Sequence, residues 1–305
     1  MSVVRPKEVA FIGLGAMGYP MAGNLAKTVG KSLLVWNRSH EKATKHASEH
    51  GSTSVQNIEE TCQAKVIFTC LPSSREFEEL IFQIQDGLVP GTIIVDCTSG
   101  EPVATQRIAK ALLERGTQLL DCPVSGGPGG AKAATLTAML GGDPQAVLQV
   151  TPTVALFAKK IIHVGPVGSG HAIKAVNNIL NVTHLMLASE GLLALKKMGV
   201  DPAKALETIN NASGRSLQTE QRIPNCVLTR SFDYGFKLGL MNKDVGIAGR
   251  LLEEYFPEAV LLKAAQQLML QAVETQGSDV DYTEVVKALE AKAGTQLVPN
   301  PRSRL

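Results

Sequence analysis

The chain has 305 residues, of which 44% are hydrophobic and 19% are charged, and its formal net charge at pH 7 is +2. This composition is typical of a soluble globular protein long enough for two domains. The small net charge, without any run rich in Lys and Arg, gives no support for nucleic acid as a partner. The longest uncharged segment, residues 175–189, is too short and too polar to span a membrane, so no membrane partner is expected.

The cysteines indicate a reducing compartment and no metal. They form no C-x-x-C pair and have no metal-like spacing with histidine. Cys70, Cys97 and Cys122 lie in or beside predicted strands, where reduced, buried thiols are expected. A first strand within ten residues of Met1 leaves no room for a signal peptide, so we expect a cytoplasmic location. The alternative is a peroxisome or related organelle, because Ser303-Arg304-Leu305 resembles a peroxisomal address; a plain polar tail is the other interpretation.

A nucleotide-binding strand–turn–helix unit opens the chain. The apolar residues 9–12 predict a buried strand, and a G-x-G-x-x-G turn and a helical pattern follow. Gly13 permits a tight turn, and Gly15 lets a pyrophosphate approach the helix N-terminus. Gly18 lets the helix pack against the strand. The predicted cofactor-binding residues are Gly13, Leu14, Gly15, Ala16, Met17 and Gly18. The alternative is a tight turn that binds nothing.

The end of the second predicted strand, residues 32–36, indicates which dinucleotide binds. Asn37, Arg38 and Ser39 follow it, where an NAD site usually has Asp or Glu for the ribose hydroxyls. Without that carboxylate nothing repels a 2′-phosphate, and Arg38 offers a bidentate donor. We therefore predict NADP, with NAD possible. Alternatively, Arg38 is a solvated surface residue and Ser39 caps the next helix.

Strands and helices alternate up to about residue 165, which predicts a parallel, doubly wound sheet. Further strands are expected at residues 66–70, 93–96 and 119–121, and helices are expected to start near Ser74, Glu101 and Asp143. From residue 168 onward the pattern is helical only, with runs at 201–211, 241–255, 259–276 and 282–293. The predicted fold is a Rossmann-type α/β domain, residues 1–165, followed by an all-α domain, residues 166–305.

A long helix at residues 170–198 is predicted to link the two domains. It is apolar nearly all round, which is typical of a helix buried between domains or subunits. Because the small second domain offers little cover for it, we expect a homodimer or homotetramer.

Lys174, the only charged residue of this helix before Glu190, is the candidate acid–base group. A lysine beside a nicotinamide can donate and accept a proton, because burial and a cationic ring favour the neutral amine. Asn178 lies one turn along on the same face. One alternative is that Lys174 reaches solvent, and another is that His171 is the base. If Lys174 is the base, changing His171 should cost less than about tenfold in activity.

Residues 121–127 follow a predicted strand and contain Ser125, Gly126 and Gly127. A Ser-Gly-Gly turn at the carboxyl end of a strand exposes successive backbone N–H groups and one hydroxyl. We therefore predict that it binds a substrate carboxylate; a flexible glycine loop is the alternative.

Taken together, these segments resemble the β-hydroxyacid dehydrogenases, a family that includes 3-hydroxyisobutyrate dehydrogenase and the tartronate, glyoxylate and succinic semialdehyde reductases. The segments concerned are residues 11–18 and 21–25, the loop 121–127, the helix start 168–178, and L-M-N-K-D-V at 240–245. The resemblance covers essentially the whole chain and implies the 6-phosphogluconate dehydrogenase-like fold.

The resemblance implies an NAD(P)-dependent oxidoreductase that interconverts a small 3-hydroxy acid and its semialdehyde, most like 3-hydroxyisobutyrate dehydrogenase. Glyoxylate, succinic or tartronate semialdehyde reductase is the alternative. It implies Lys174 as the catalytic acid–base residue. The implied substrate-binding residues are Ser125, Gly126, Gly127 and Asn178, and the further cofactor contacts are Leu71, Pro72, Ser99 and Lys243.

Two departures from the family pattern leave the substrate open. Glu76 stands where 3-hydroxyisobutyrate dehydrogenases often have Asn, and Ala134 stands where the family commonly has Gly. A protein that keeps the fold without turnover is a further alternative, as is a 2-hydroxy acid dehydrogenase. The first is disfavoured because Lys174 is present. The second is disfavoured because no catalytic His–carboxylate pair with a substrate-binding Arg is evident in the second half.

Overall fold

The computed structural model describes residues 9–300. The chain divides into two compact units, residues 1–174 and residues 175–305. The tripeptide Ser303-Arg304-Leu305 lies outside the described residues. The domain boundary predicted at residue 165 stays a prediction.

The first unit is built on one sheet. Its strands are β1 Val9–Ile12, β2 Leu33–Trp36, β3 Thr53–Ser54, β4 Val66–Thr69, β5 Ile93–Asp96, β6 Gln118–Asp121, β7 Val124–Ser125, β8 Leu136–Gly141 and β9 Ala158–Gly165. They are ordered β3-β2-β1-β4-β5-β6-β8-β7, and β9 pairs with β8. The first six in this order run parallel, and the chain order reverses between β1 and β4. This is the doubly wound arrangement that the alternating pattern predicts.

Helices cover the sheet and connect its strands. They are α1 Gly18–Val29, α2 His40–His50, α3 Ser74–Ile84, α4 Pro102–Leu113, α5 Gly127–Ala133 and α6 Pro144–Val154. In β1, Val9 and Phe11 belong to one hydrophobic core, whereas Ala10 and Ile12 belong to another. Successive strand residues point to opposite faces, so a strand covered on both faces reads as a continuous apolar run.

At one edge the sheet departs from the predicted parallel arrangement. β8 pairs antiparallel with both β6 and β7. Neither β8 nor β9 is expected from the sequence. Much of β9 is exposed, and it includes Lys159 and Lys160. An edge strand of this kind lacks the apolar run by which buried parallel strands are recognised.

The long helix α7, Ser169–Lys197, starts one residue before its predicted bounds and ends one residue before them. Its composition suggested burial on all sides, but one face of the helix is exposed. Ile173, Leu180 and Leu187 are 42%, 42% and 65% exposed. Their spacing of seven residues places them along one face of the helix, which is therefore an apolar stripe open to solvent.

The second unit is helical. Besides most of α7 it contains α8 Pro202–Asn210, α9 Leu238–Tyr255, α10 Leu261–Gln276 and α11 Val285–Ala293, with a π-helical segment, Gln218–Val227, and a 3₁₀ turn, Tyr282–Glu284. One hydrophobic core unites these helices, with Ile179 of α7 and Val245 of α9 fully buried in it. Within residues 9–300, no helix is both long and apolar enough to cross a bilayer.

The sequence predicts the start of α8 to within one residue, but not the hydrogen bonds made there. Asp201 stands at the N-cap of α8, before a first-turn proline, as its sequence predicts. Its side chain makes no capping bond but accepts a hydrogen bond from the backbone N–H of Asn300, at 2.9 Å. The π-helical segment contains Pro224, which lacks the N–H that an α-helix would use at that position.

Candidate active site

The glycine turn between β1 and α1 is sterically constrained at two of its positions. Gly13 has φ +96°, and a Cβ added there would collide with the carbonyl oxygen of Cys70. A Cβ on Gly18 would collide with the carbonyl oxygen of Gly13, because α1 starts directly over the turn. Gly15 is exposed, and a Cβ there would meet no protein atom within 4 Å. Packing therefore does not require glycine at position 15, and the space above the turn is open there.

Asn37 braces this turn from the end of β2. Its Oδ1 accepts a hydrogen bond from the backbone N–H of Leu14 at 2.9 Å, and its Nδ2 donates to the carbonyl oxygen of Ser39 at 3.1 Å. Arg38 and Ser39 are exposed. Ser39 stands at the N-cap of α2 but makes no side-chain capping bond. The end of β2 thus holds the turn in shape and presents one exposed guanidinium.

Buried polar groups connect the loops that follow β4 and β5. Asp96, 1% exposed, accepts hydrogen bonds at Oδ1 from the Thr69 hydroxyl at 2.8 Å and from the Thr98 N–H at 3.0 Å. The Thr98 hydroxyl in turn accepts from the N–H of Leu71 at 3.0 Å. Pro72 is exposed, and Ser99 is half-buried like Leu71. These bonds shape the loops that carry three predicted cofactor contacts.

Asp121 anchors the start of α7. It is fully buried, and its Oδ1 accepts a hydrogen bond from the N–H of Gly168 at 2.7 Å. Its Oδ2 accepts from the N–H of His171 at 2.8 Å. A carboxylate is stabilised at a helix N-terminus by these free N–H groups and by the helix dipole. The end of β6 thereby holds the helix turn that precedes Lys174, whose own side chain is half-buried.

The structure argues against His171 as the alternative base. Its ring is buried, with the residue only 1% exposed. Nδ1 lies 2.8 Å from the Thr105 hydroxyl, and Nε2 faces a carboxylate oxygen of Asp96 at 3.8 Å. Both ring nitrogens therefore face protein groups, and neither is open to a substrate.

The Ser-Gly-Gly turn lies beyond the carboxyl end of β6. The β6–β8 pairing is limited to Asp121 and Gly141, so β8 and its partner β7 extend past the other strands. Ser125 ends β7; Gly126, with φ +134°, is the N-cap of α5, and Gly127 is its first residue. The first N–H groups of a helix have no partner inside it, so the turn has donors suited to a carboxylate.

Two predicted site residues meet in the second unit through a residue whose role was not predicted. Asn178, only 5% exposed, donates from Nδ2 to Oδ2 of Asp244 at 2.6 Å. The Lys243 ammonium lies 3.1 Å from the other carboxylate oxygen of Asp244. Oδ1 of Asn178 accepts from Asn177 at 3.1 Å. Asp244 therefore sets the orientation of the Asn178 amide and pairs with Lys243.

Sequence patterns did not reveal Asp96, Asp121 or Asp244 as organising residues. A signal existed for the first two, since each is a carboxylate that follows apolar residues at the end of a strand. For Asp244, its place beside Lys243 gave no indication of a bond to α7. Glu76, which departs from the family pattern, accepts a hydrogen bond from Arg75 at 2.9 Å and one from Ser73. Among residues 9–300, no group of three or more His, Cys, Asp and Glu side chains could hold a metal ion.

Comparison with known proteins gives a consistent result over both units. Residues 8–165 match the NAD binding domain of 6-phosphogluconate dehydrogenase, and residues 168–289 match the NAD-binding domain of NADP-dependent 3-hydroxyisobutyrate dehydrogenase. The 2-hydroxy-3-oxopropionate reductase of Escherichia coli (strain K12) is 33% identical, over 95% of this chain and 99% of its own.

Two solved structures share the fold over nearly the full length. Mycobacterium tuberculosis 3-hydroxyisobutyrate dehydrogenase with L-serine has a TM-score of 0.86 and 27% identity, covering 93% of this chain and 99% of that one. Psf3 in complex with NADP+ and 2-OPP has a TM-score of 0.81 and 25% identity, covering 92% and 99%. The chain therefore belongs to the β-hydroxyacid dehydrogenase family and is an NAD(P)-dependent oxidoreductase that acts on a CH–OH group.

Proposed function

We propose that the enzyme oxidises a small 3-hydroxy acid to its semialdehyde, or catalyses the reverse reaction, and that its best substrate is 3-hydroxyisobutyrate. The observation that carries this proposal is that one compact unit contains a half-buried lysine, Lys174, and a Ser-Gly-Gly turn, residues 125–127, at the start of α5, whose first N–H groups have no partner inside the helix. A hydroxyl to be deprotonated and a carboxylate to be held are the two groups of a 3-hydroxy acid.

Each group of the substrate then has a proposed partner. The carboxylate binds Ser125, Gly126 and Gly127 through backbone N–H groups and the hydroxyl. Lys174 takes the proton of the 3-hydroxyl in oxidation and returns it in reduction. Asn178 orients that hydroxyl, with its own amide set by Asp244. When bound, the nicotinamide ring accepts or returns the hydride.

NADP is the proposed cofactor, with NAD as the weaker one. The exposed Arg38 and the lack of a carboxylate at the end of β2 support this choice. The proposed contacts are Gly13, Leu14, Gly15, Ala16, Met17, Gly18, Asn37, Arg38, Ser39, Leu71, Pro72, Ser99 and Lys243. The open position at Gly15 fits a phosphate there.

The second candidate function is reduction of tartronate, glyoxylate or succinic semialdehyde. It is favoured by the identity with the Escherichia coli 2-hydroxy-3-oxopropionate reductase, 33% over 95% of this chain, and by the departure at Ala134. Assembly as a homodimer or homotetramer is also proposed, because the stripe of Ile173, Leu180 and Leu187 leaves apolar area exposed. The free cysteines, four of them buried, support a reducing compartment such as the cytoplasm.

A substrate panel tests the proposal. Initial rates are measured by NAD(P)H absorbance for 3-hydroxyisobutyrate oxidation and for reduction of tartronate semialdehyde, succinic semialdehyde and glyoxylate, each with both cofactors. The highest kcat/KM is expected for 3-hydroxyisobutyrate with NADP. A semialdehyde that exceeds it by more than about tenfold selects the second candidate. No turnover of any of these compounds rejects both.

A further inference from the structure

A polar network in the first unit reaches the start of α7. We propose that His171 is a positioning residue: held by Thr105, it fixes the helix turn before Lys174 relative to the segments that follow β4 and β5. This inference rests on the proposed role of Lys174 as the acid–base residue. It gives a function to a buried histidine that the reaction itself does not use.

The hydrogen bonds define which nitrogen of His171 carries a proton. The Thr105 hydroxyl has one hydrogen, which it donates to the carbonyl oxygen of Glu101 at 2.9 Å. The same oxygen lies 2.8 Å from Nδ1 of His171, so it accepts there and Nδ1 carries the proton. The ring is thus a hydrogen-bond donor to α4, while its buried Nε2 makes no hydrogen bond and lies 3.8 Å from a carboxylate oxygen of Asp96.

His171 is held from two sides at once. Asp121 accepts a hydrogen bond from its backbone N–H at 2.8 Å, while Thr105 holds its side chain. Glu101, whose carbonyl oxygen accepts from Thr105, donates its backbone N–H to the Ser74 hydroxyl at 2.7 Å. A path of hydrogen bonds therefore runs from the segments that follow β4 and β5, through α4, to the helix that carries the acid–base residue.

Helix geometry transmits this constraint to Lys174. The lysine is three residues after His171, about 4.5 Å further along the helix axis. A displacement of about 1 Å in a reacting group can cost on the order of 100-fold in rate. Loss of the side-chain bonds should therefore lower kcat, whereas the glycine turn keeps its own contacts and the cofactor Kd changes little. This expectation replaces the smaller, less than tenfold effect anticipated from sequence for a change at His171.

Two substitutions at His171 separate positioning from proton transfer. His171→Asn places an amide N–H where Nδ1 stands and keeps the donor to Thr105, but it cannot act as a base. His171→Leu keeps the volume and removes the donor. His184→Ala, at an exposed position of the same helix, is the matched control. The measurements are kcat, KM for the hydroxy acid, and NADPH Kd by fluorescence, below the Tm of every variant.

The expected results differ in direction for the two variants. His171→Leu should lose about 10- to 100-fold in kcat, and His171→Asn should stay within about threefold of wild type. NADPH Kd should change less than about threefold in all variants, and His184→Ala should match wild type. An Asn variant as impaired as the Leu variant contradicts the proposal, and so does a Leu variant with wild-type kcat.

Thr105→Val tests the same network from α4 and serves if His171→Leu does not fold. It keeps the side-chain shape and removes the hydroxyl between Glu101 and His171. We expect a loss in kcat of about tenfold and faster amide hydrogen exchange of the peptide covering residues 168–176. If wild type oxidises no hydroxy acid, the proposed function fails, and exchange alone decides: unchanged protection in Thr105→Val overturns the network.

Discussion

The carboxyl edge of the sheet in the first unit and the buried polar cluster of the second unit place their side chains in different ways. In the first unit, Thr69, Asp96 and Asp121 end neighbouring parallel strands in register. The residues that follow them therefore lie at the same edge of the sheet. In the second unit, Asn178 meets Asp244 only because α7 packs against α9, 66 residues further along the chain. Strand ends are local features of a sequence, and helix contacts are not.

The partners of the two buried carboxylates also differ, being backbone groups in the first unit and side chains in the second. Asp121 is held by two backbone N–H groups, which no substitution of a neighbouring side chain removes. Asp244 is held by two side chains, the Asn178 amide and the Lys243 ammonium. Buried carboxylates without partners are costly. The cluster in the second unit should therefore be the more sensitive of the two to single substitutions of the partners.

The largest of the effects that probe this comparison is expected at Asp244. Asp244→Ala removes the acceptor that orients Asn178 and the partner of Lys243, so kcat/KM should fall by roughly 100-fold, about 2.7 kcal/mol. Asp279→Ala is the matched control, since Asp279 forms an exposed ion pair with Lys237 in the same unit and should cost nothing measurable. Steady-state kinetics with both variants check this. Equal effects at the two positions contradict a role for the buried cluster.

A pH effect on stability should arise in the first unit. Burial, and next the charge of nearby His50, lowers the pKa of His46 to about 4, from an ordinary value of 6.5. The unfolded chain therefore binds this proton more readily, and stability is lost as the pH falls from about 6.5 towards 4. Between pH 7 and about pH 4.5 the loss is about 2 kcal/mol.

Urea unfolding at the two pH values, compared with His46→Asn, measures this contribution. Nδ1 of His46 forms a hydrogen bond with the Ser52 hydroxyl at 2.8 Å. An Asn amide can replace that bond and does not titrate. The described histidine of the second unit, His184, is exposed. Hydrogen exchange should therefore show acid sensitivity in the first unit. A His46→Asn protein with the same pH dependence as wild type assigns the effect to other groups.

Cofactor choice tests the strand-end turn itself. We expect kcat/KM to favour NADP over NAD by at least about tenfold, the size of one charge-assisted phosphate contact. Asn37→Asp should erase or reverse that preference, because a carboxylate then faces the 2′-position. Its oxygen can still accept the Leu14 N–H, so the turn should keep its shape. Wild-type efficiency that is equal or better with NAD rejects Arg38 as a phosphate ligand.

The smallest expected effect concerns Ala134, which has φ +56° at the C-cap of α5. A non-glycine residue in this left-handed region costs roughly 1–2 kcal/mol of stability. Glycine avoids that cost, but it loses more chain entropy on folding, which cancels part of the gain. Ala134→Gly should raise the free energy of unfolding by about 0.5–1 kcal/mol. Ala194→Gly, at an exposed position in the last turn of α7, should instead lower it, by at most the roughly 1 kcal/mol of a helix interior. Denaturant unfolding of both variants gives the two signs, and a loss at position 134 contradicts the strain.

Sequence reasoning succeeded where a structural requirement is local. The steric demands at Gly13 and Gly18, the strand ends and the bounds of α7 to within one residue all follow from short-range patterns. It failed at β8 and at β9, which is largely exposed and carries Lys159 and Lys160. It also failed in the π-helical segment, where Pro224 changes the hydrogen-bond pattern. The sequence predicts Asn37 as a cofactor contact, and the structure adds a hydrogen bond from the Leu14 N–H to Asn37 that only the folded turn reveals. The roles of His171 and Asp244 depend on tertiary partners and had no sequence signature.

The central claim is that Lys174 transfers the proton while the strand-end turns bind the cofactor, and the Lys174→Ala variant tests it most directly. The measurement is kcat for the best hydroxy acid together with NADPH Kd by fluorescence on the same preparation. We predict a loss in kcat of about 10³–10⁴-fold with Kd changed less than about threefold. Lys174→Arg should be equally inactive, because a guanidinium does not release its proton near neutral pH. Turnover within about tenfold of wild type in either variant would contradict the claim.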